Sequence, residues 1–98
     1  MKRSNQLSIV VIIKNNADLL PQFLDAAQFA DEIVIIDDYS TDGTFEIAQK
    51  SKARVFQRIF DGFGSQKRFG LSKATGKWVL MLDIDEIVSE SLRKEILI

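Results

Sequence analysis

What most constrains this chain is a rhythm of short aliphatic, β-branched runs that break off into polar or acidic residues. Leu7-Ser8-Ile9-Val10-Val11-Ile12-Ile13 ends in Lys14-Asn15-Asn16, Glu32–Ile36 ends in Asp37-Asp38, and Trp78–Leu82 ends in Asp83-Ile84-Asp85-Glu86. Runs of this length without polar alternation describe strands buried on both faces, as in a parallel sheet. A shorter strand is predicted over Arg54–Gln57.

The intervening segments carry helical spacing. Between Asp18 and Phe29, Leu20, Phe23, Leu24 and Ala27 fall on one face, with Asp18 placed to cap and Pro21 tolerable in the first turn. Ser40-Thr41-Asp42-Gly43 supplies turn and cap chemistry before a helix over Thr44–Lys52, where Ile47 and Ala48 share a face. The flexible Asp61-Gly62-Phe63-Gly64 opens a helix over Ser65–Ala74, closed by Gly76, in which Phe69 and Leu71 are expected to face the sheet. Ser89 is placed to cap a last helix carrying Leu92, Ile96 and Leu97.

Strands alternating with helices predict an α/β, Rossmann-like, doubly wound and mainly parallel sheet of about four strands, with helices on both faces. A chain of 98 residues fits one domain, spanning 1–98. Such sheets bind ligands outside the carboxyl ends of their strands, where strand order reverses. If the first, second and fourth strands are neighbours, Lys14-Asn15, Asp37-Asp38 and Asp83/Asp85 converge there.

Composition narrows the chemistry. Thirteen basic and fourteen acidic residues leave a net charge of −1, too weak a field to gather nucleic acid, so any phosphate contact must be local. The absence of Cys and His removes thiolate nucleophiles, imidazole bases and zinc-thiolate sites, leaving acid and base work to carboxylates. No apolar run approaches the length that spans a bilayer, and no signal-peptide pattern is present, which suggests a cytoplasmic location; a peripheral association with the inner membrane face stays open. No glycine-rich dinucleotide or P-loop fingerprint occurs. A phosphoacceptor receiver domain would need its acid pair directly after the first strand, where Lys14-Asn15-Asn16 stands instead.

Each polar cluster has two readings. Asp83 and Asp85 would share one side of an extended segment, where a hard cation such as Mg²⁺ or Mn²⁺ takes one or two carboxylates plus phosphate and water oxygens. Equally, they could solvate a turn and favour the next helix through its dipole. Adjacent residues point apart, so one of Asp37 and Asp38 is available to accept from a nucleotide while the other ends the strand or caps the turn. Lys67 and Arg68 carry donors suited to a diphosphate, or are simply solvated on a helix face.

Taken together, Leu7–Asn15, Ala30–Asp37 with Ser40-Thr41-Asp42-Gly43-Thr44, and Ala74-Thr75-Gly76-Lys77-Trp78-Val79-Leu80 running into Asp83-Ile84-Asp85-Glu86 resemble family-2 glycosyltransferases of the GT-A fold. The chain especially resembles bacterial lipopolysaccharide-core and related sugar transferases, a subgroup whose loop before the third helix resembles Phe60–Lys67. The resemblance covers nearly the whole chain and implies the N-terminal, nucleotide-sugar-binding half of that fold. It implies transfer of a sugar from a nucleotide diphosphate, a UDP-sugar first among them, to an acceptor hydroxyl. By position, Asp38 or Asp37 would meet the base, Lys14 and Asn15 would line its pocket, Asp83 would meet the ribose or metal shell, and Asp85 would hold Mg²⁺ or Mn²⁺ in a DxD motif. The family commonly has Glu where Asn16 stands. Its members continue well past the metal motif, so no catalytic base is assigned here, and the chain is expected to be truncated, with an exposed sheet edge that favours self-association. A non-catalytic nucleotide-binding module, an inactive truncated product and a purely structural domain are the alternatives.

Overall fold

The computed structural model describes residues 6–86. In chain order its elements are β1 (Leu7–Ile13), α1 (Leu20–Ala26), β2 (Glu32–Asp37), α2 (Thr44–Lys50), β3 (Arg54–Gln57), α3 (Phe63–Lys73) and β4 (Trp78–Asp83). The strands form one sheet in the order β3-β2-β1-β4, and every pairing is parallel. This is the Rossmann-like α/β sheet the alternation predicts. The helix expected after Ser89 lies outside the described residues.

Side chains alternate across the sheet, and each face has its own core. Ile9, Val11 and Ile13 of β1 join Ile35, Leu20, Phe23, Ala27 and Ala48, so α1 and α2 cover one face. Val10, Val34 and Ile36 point the other way, where Phe69 of α3, Phe56 and Met81 pack on them. The middle strands are apolar over 9–13 and 33–36 because both of their faces are covered there.

α3 approaches the sheet through a glycine. A Cβ on Gly70 would lie 2.5 Å from Val10 Cγ1 and 3.3 Å from Ile36 Cγ1. Phe69 packs inward as expected, but Leu71 is 46% exposed, so Gly70 takes the inward position that the sequence pattern assigned to Leu71. α3 also starts two residues earlier than the expected Ser65.

α1 starts later than the expected Asp18, and no side chain caps it. Its entry is closed by backbone instead: the N–H groups of Leu19 and Leu20 both donate to the Asn16 carbonyl. α2 ends at Lys50 because Ser51 Oγ donates to the Ala48 carbonyl at 2.6 Å and accepts from Ala53 N at 3.1 Å, turning the chain into β3.

The amino ends of the strands are clamped by a buried hydroxyl. Ser8 Oγ donates to Glu32 Oε1 at 2.7 Å and accepts from Gly76 N at 2.8 Å, while Arg54 Nη1 reaches Glu32 Oε2 at 2.9 Å. Gly76 is required here, since a Cβ would meet Ser8 Oγ at 2.6 Å. A cleft of about 460 Å³, lined by Leu24, Glu32, Lys52 and Arg54 among others, opens at this same pole. The polar clusters lie at the opposite one. β4 is an edge strand among the described residues, with Trp78 70% exposed.

Candidate functional site

The carboxyl ends of three adjacent strands finish at one level. Ile13 pairs with Asp37 across β1 and β2, and Ile12 with Asp83 across β1 and β4. Strand order reverses between β1 and β4, which is where sheets of this type bind ligands. Lys14-Asn15, Asp37-Asp38 and Asp83 therefore leave the sheet along the same rim.

The adjacent acids Asp37 and Asp38 diverge, as residues at a strand end must. Asp37 is fully buried and turned into the protein: it accepts from Ser40 N at 3.1 Å, from Ser40 Oγ, and from Gln57 Nε2 at 3.4 Å. Asp38 faces the rim. One of its oxygens lies 3.3 Å from Lys14 Nζ, and the other accepts from Phe60 N at 3.1 Å. Only Asp38 of this pair keeps a carboxylate at the surface, beside Lys14.

The loops after β1 and β2 are joined by side-chain to backbone bonds. Asn15 adopts the left-handed conformation, φ 53°, a region in which Asn is far better tolerated than β-branched residues. Its N–H donates to Ser40 Oγ at 2.8 Å and its Oδ1 accepts from Thr41 N at 2.7 Å. Asn16 N donates to Thr44 Oγ1 at 2.8 Å, and Asn16 Oδ1 accepts from Lys14 N at 2.8 Å. Buried Thr44 donates in turn to Asp42, which also accepts from Ala17 N at 3.2 Å. The Thr44 hydroxyl, with the backbone N–H groups of Ala17, Thr44 and Asp42 itself, holds the Asp42 carboxyl below its ordinary range against a smaller opposing effect of desolvation. Asn15 thus contributes to the rim by fixing its shape.

At the end of β4 the extended chain stops at Asp83. Asp83 N donates to Glu86 Oε1 at 2.7 Å and Glu86 N donates back to the Asp83 carbonyl at 3.0 Å, so Ile84 and Asp85 sit in a tight turn. The strand alternation expected to align Asp83 with Asp85 does not extend this far. Both carboxylates are exposed. Among the described residues no group of three or more His, Cys, Asp or Glu is placed to hold a metal ion. The acids present suit a hard cation that arrives with phosphate oxygens and water, rather than one caged by protein alone.

Lys67 and Arg68 lie in the first half of α3, which starts from the carboxyl-end side of β3. Lys67 is half-buried; Arg68 is exposed and folds toward Gly64, where a Cβ would lie 3.2 Å from its Nη1. Nothing in the local pattern of residues singles out Arg58 or Gln66. Gln66 is a polar residue between Ser65 and Lys67 on α3, yet it is fully buried and bonded to Arg58.

The family model described as glycosyl transferase family 2 matches residues 8–98. An uncharacterized glycosyltransferase of Rickettsia conorii is 33% identical over 94 residues, 95% of this chain and 33% of that protein. The lipopolysaccharide core biosynthesis glycosyltransferase LpsC of Rhizobium meliloti is 30% identical over 93 residues, 90% of this chain and 34% of that protein. The chain thus spans about a third of the length of the curated relatives it matches. Among solved structures, mannosyl-3-phosphoglycerate synthase of Rubrobacter xylanophilus superposes with a TM-score of 0.74 at 26% identity, covering 83% of this chain and 31% of that one. Glucosyl-3-phosphoglycerate synthase of Mycobacterium tuberculosis, crystallised with Mn²⁺, UDP and glucosyl-3-phosphoglycerate, superposes at 0.71 with 24% identity, covering 83% and 34%, and shares the fold.

Proposed function

The chain belongs to glycosyl transferase family 2, and on that premise we propose that residues 1–98 form a single domain that binds a nucleotide-diphosphate sugar, a UDP-sugar first, for transfer to an acceptor hydroxyl. The observation that carries this reading is that Asp37, Ile13 and Asp83 end their strands within one residue of the same level at the reversal of strand order, with the Asp38 carboxylate and the Lys14 ammonium at the rim. Asp38 accepts from the base N–H groups, Lys14 and Asn15 border the base pocket, Lys67 faces the diphosphate, and Asp83 meets the ribose or the metal shell. Asp37 holds the turn beneath Asp38. Asp85, with Asp83, holds Mg²⁺ or Mn²⁺, whose charge would neutralise the leaving diphosphate.

The acceptor site and the general base are assigned to the part of the relatives' length that this chain does not span. The likeness to LpsC supports cell-envelope polysaccharide or lipopolysaccharide synthesis as the setting; a cytoplasmic location, at the inner face of the membrane, is part of the same proposal. No helix among the described residues is long and apolar enough to cross a membrane. The exposed edge of β4 is offered as a self-association surface; a concentration-independent monomer in sedimentation would refute that.

Titration of UDP with and without Mn²⁺, followed by amide shifts, tests the central claim. Metal-dependent shifts at Asp38, Asp83 and Asp85, abolished in Asp85→Ala, are the expected outcome. A folded chain that binds neither UDP nor GDP would mean that the domain keeps the family's fold without its ligand.

A further inference from the structure

The loop between β3 and α3 meets the Asp38 carboxylate through a backbone group. Phe60 N donates to Asp38 Oδ1 at 3.1 Å and so fixes the direction of that carboxylate. Burial does not hold this loop in place: Ile59 is 71% exposed and Phe63 69%.

Polar contacts through Arg58 hold it instead. The Arg58 backbone N–H donates to the Asp37 carbonyl at 3.0 Å, anchoring the loop's first residue to the end of β2. Its guanidinium then spans the loop: Nη1 donates to Asp61 Oδ1 at 3.0 Å and to Gln66 Oε1 at 2.7 Å, and Nη2 donates to Ser65 Oγ at 3.0 Å. Gln66 Nε2 returns a bond to the Arg58 carbonyl at 2.8 Å, so both ends of a fully buried amide are spent on this one residue. The guanidinium carbon sits 5.3 Å from the Phe69 ring centroid, which ties it to the core face of α3. A planar fork of donors suits this multiple bonding, and an ammonium could satisfy only part of it.

We propose that Arg58 is a positioning residue for nucleotide recognition: by binding Asp61, Ser65 and Gln66, it holds the β3–α3 loop so that the Phe60 N–H aims the Asp38 carboxylate. The role rests on the reading that Asp38 meets the nucleotide. Arg58 itself touches no ligand.

Amide hydrogen exchange and UDP titration on the 98-residue chain test the two halves separately, with Arg58→Lys, Arg58→Met and the exposed-site variant Asp61→Asn. Exchange at Phe60 should rise at least tenfold in Arg58→Met, less in Arg58→Lys and Asp61→Asn, with β1 and β2 amides unchanged. UDP affinity in the presence of Mn²⁺ should fall about tenfold in Arg58→Met, and this loss should vanish in an Asp38→Asn background, since coupled residues are non-additive. Unchanged Phe60 exchange in a folded Arg58→Met or Asp61→Asn chain overturns the latch. Equal losses with and without Asp38 overturn its action through that carboxylate. If Asp38→Asn alone leaves UDP affinity intact, the assignment of Asp38 to the nucleotide fails, and with it the recognition role of Arg58; Phe60 exchange then decides only whether the loop is latched.

Discussion

Replacing Asp37 and Asp38 one at a time should separate folding from recognition, because these adjacent acids have opposite surroundings. Asp37→Ala removes an acceptor for Ser40 N at 3.1 Å, for Ser40 Oγ and, weakly, for Gln57 Nε2 at 3.4 Å, all beneath a fully buried position. A hydrogen bond to a charged group contributes about 1.5–3 kcal/mol net, and the 3.4 Å contact contributes less. Relief of the carboxylate's own desolvation offsets part of the loss. The expected cost is about 2–4 kcal/mol, a large share of the roughly 5–15 kcal/mol available to a domain. Asp38→Ala loses an ion pair to a Lys14 side chain that is 55% exposed, worth about 0–1 kcal/mol, and the bond from Phe60 N, an exposed N–H that water can satisfy, so it should destabilise by about 1–2 kcal/mol, less than Asp37→Ala. UDP affinity should reverse the order, falling tenfold or more in Asp38→Ala, a loss of about 1.4 kcal/mol. Urea unfolding followed by far-UV circular dichroism measures the first effect, since Trp78 is too exposed to report on the core. Equal midpoint shifts for the two variants, or an Asp37→Ala chain as stable as wild type, would refute the division of labour.

Two further predictions concern the scaffold. Gly70→Ala gains about 1 kcal/mol in helix propensity but drives a methyl to 2.5 Å from Val10 Cγ1, where overpacking costs about 1–3 kcal/mol, so thermal unfolding should show a net loss. Gly64→Ala meets only the flexible Arg68 side chain and should be neutral or stabilising, serving as the control. Burial disfavours the Glu32 carboxylate, but bonds from Thr75 N, Ser8, Arg54 and the Thr75 hydroxyl outweigh it and hold its pKa below the ordinary 4.5. The unfolded chain therefore takes up this proton first as the solution is acidified. The resulting stability is complete above about pH 5 and lost as the pH falls through the folded pKa. The unfolding midpoint of wild type should drop more steeply below that pH than that of Glu32→Gln, and parallel profiles would count against the network.

The sheet was legible because its signal is long-range and redundant: three apolar runs, each ending in polar residues, admit few arrangements other than adjacent parallel strands. The helix ends were less legible. Asp18 has the right chemistry for a cap, but the Asn16 carbonyl already accepts from Leu19 and Leu20, and a backbone turn took its place. Leu71 fits an apolar pattern, yet the closeness of α3 to Val10 leaves room there only for Gly70, and such closeness is a tertiary fact. At the rim, the sequence identified the acids and left open which of Asp37 and Asp38 turned inward. That choice depends on Ser40 and Gln57, which lie on different elements. Arg58 gave no local sign because all of its meaning lies in partners that only the folded loop brings together.

A single physical device runs through the site. The loops at the carboxyl ends of the strands are held by hydrogen bonds that involve Asn15, Asn16, Asp42, Thr44 and Arg58 rather than by apolar burial, while the core lies below them. A rim built this way keeps polar groups at fixed positions at a water-exposed surface, which a phosphate and sugar ligand requires. It also leaves the rim energetically separable from the sheet. Disrupting the rim at Asp61, an exposed acid whose carboxyl is held below its ordinary range by the Ser65 hydroxyl and the Arg58 guanidinium, should loosen the corner around Asp38 while the sheet keeps its exchange protection. Disrupting the core at Gly70 should lower global stability and leave the order of rim protection unchanged. Had the loops been anchored by burial, the two perturbations would have moved rim and core together.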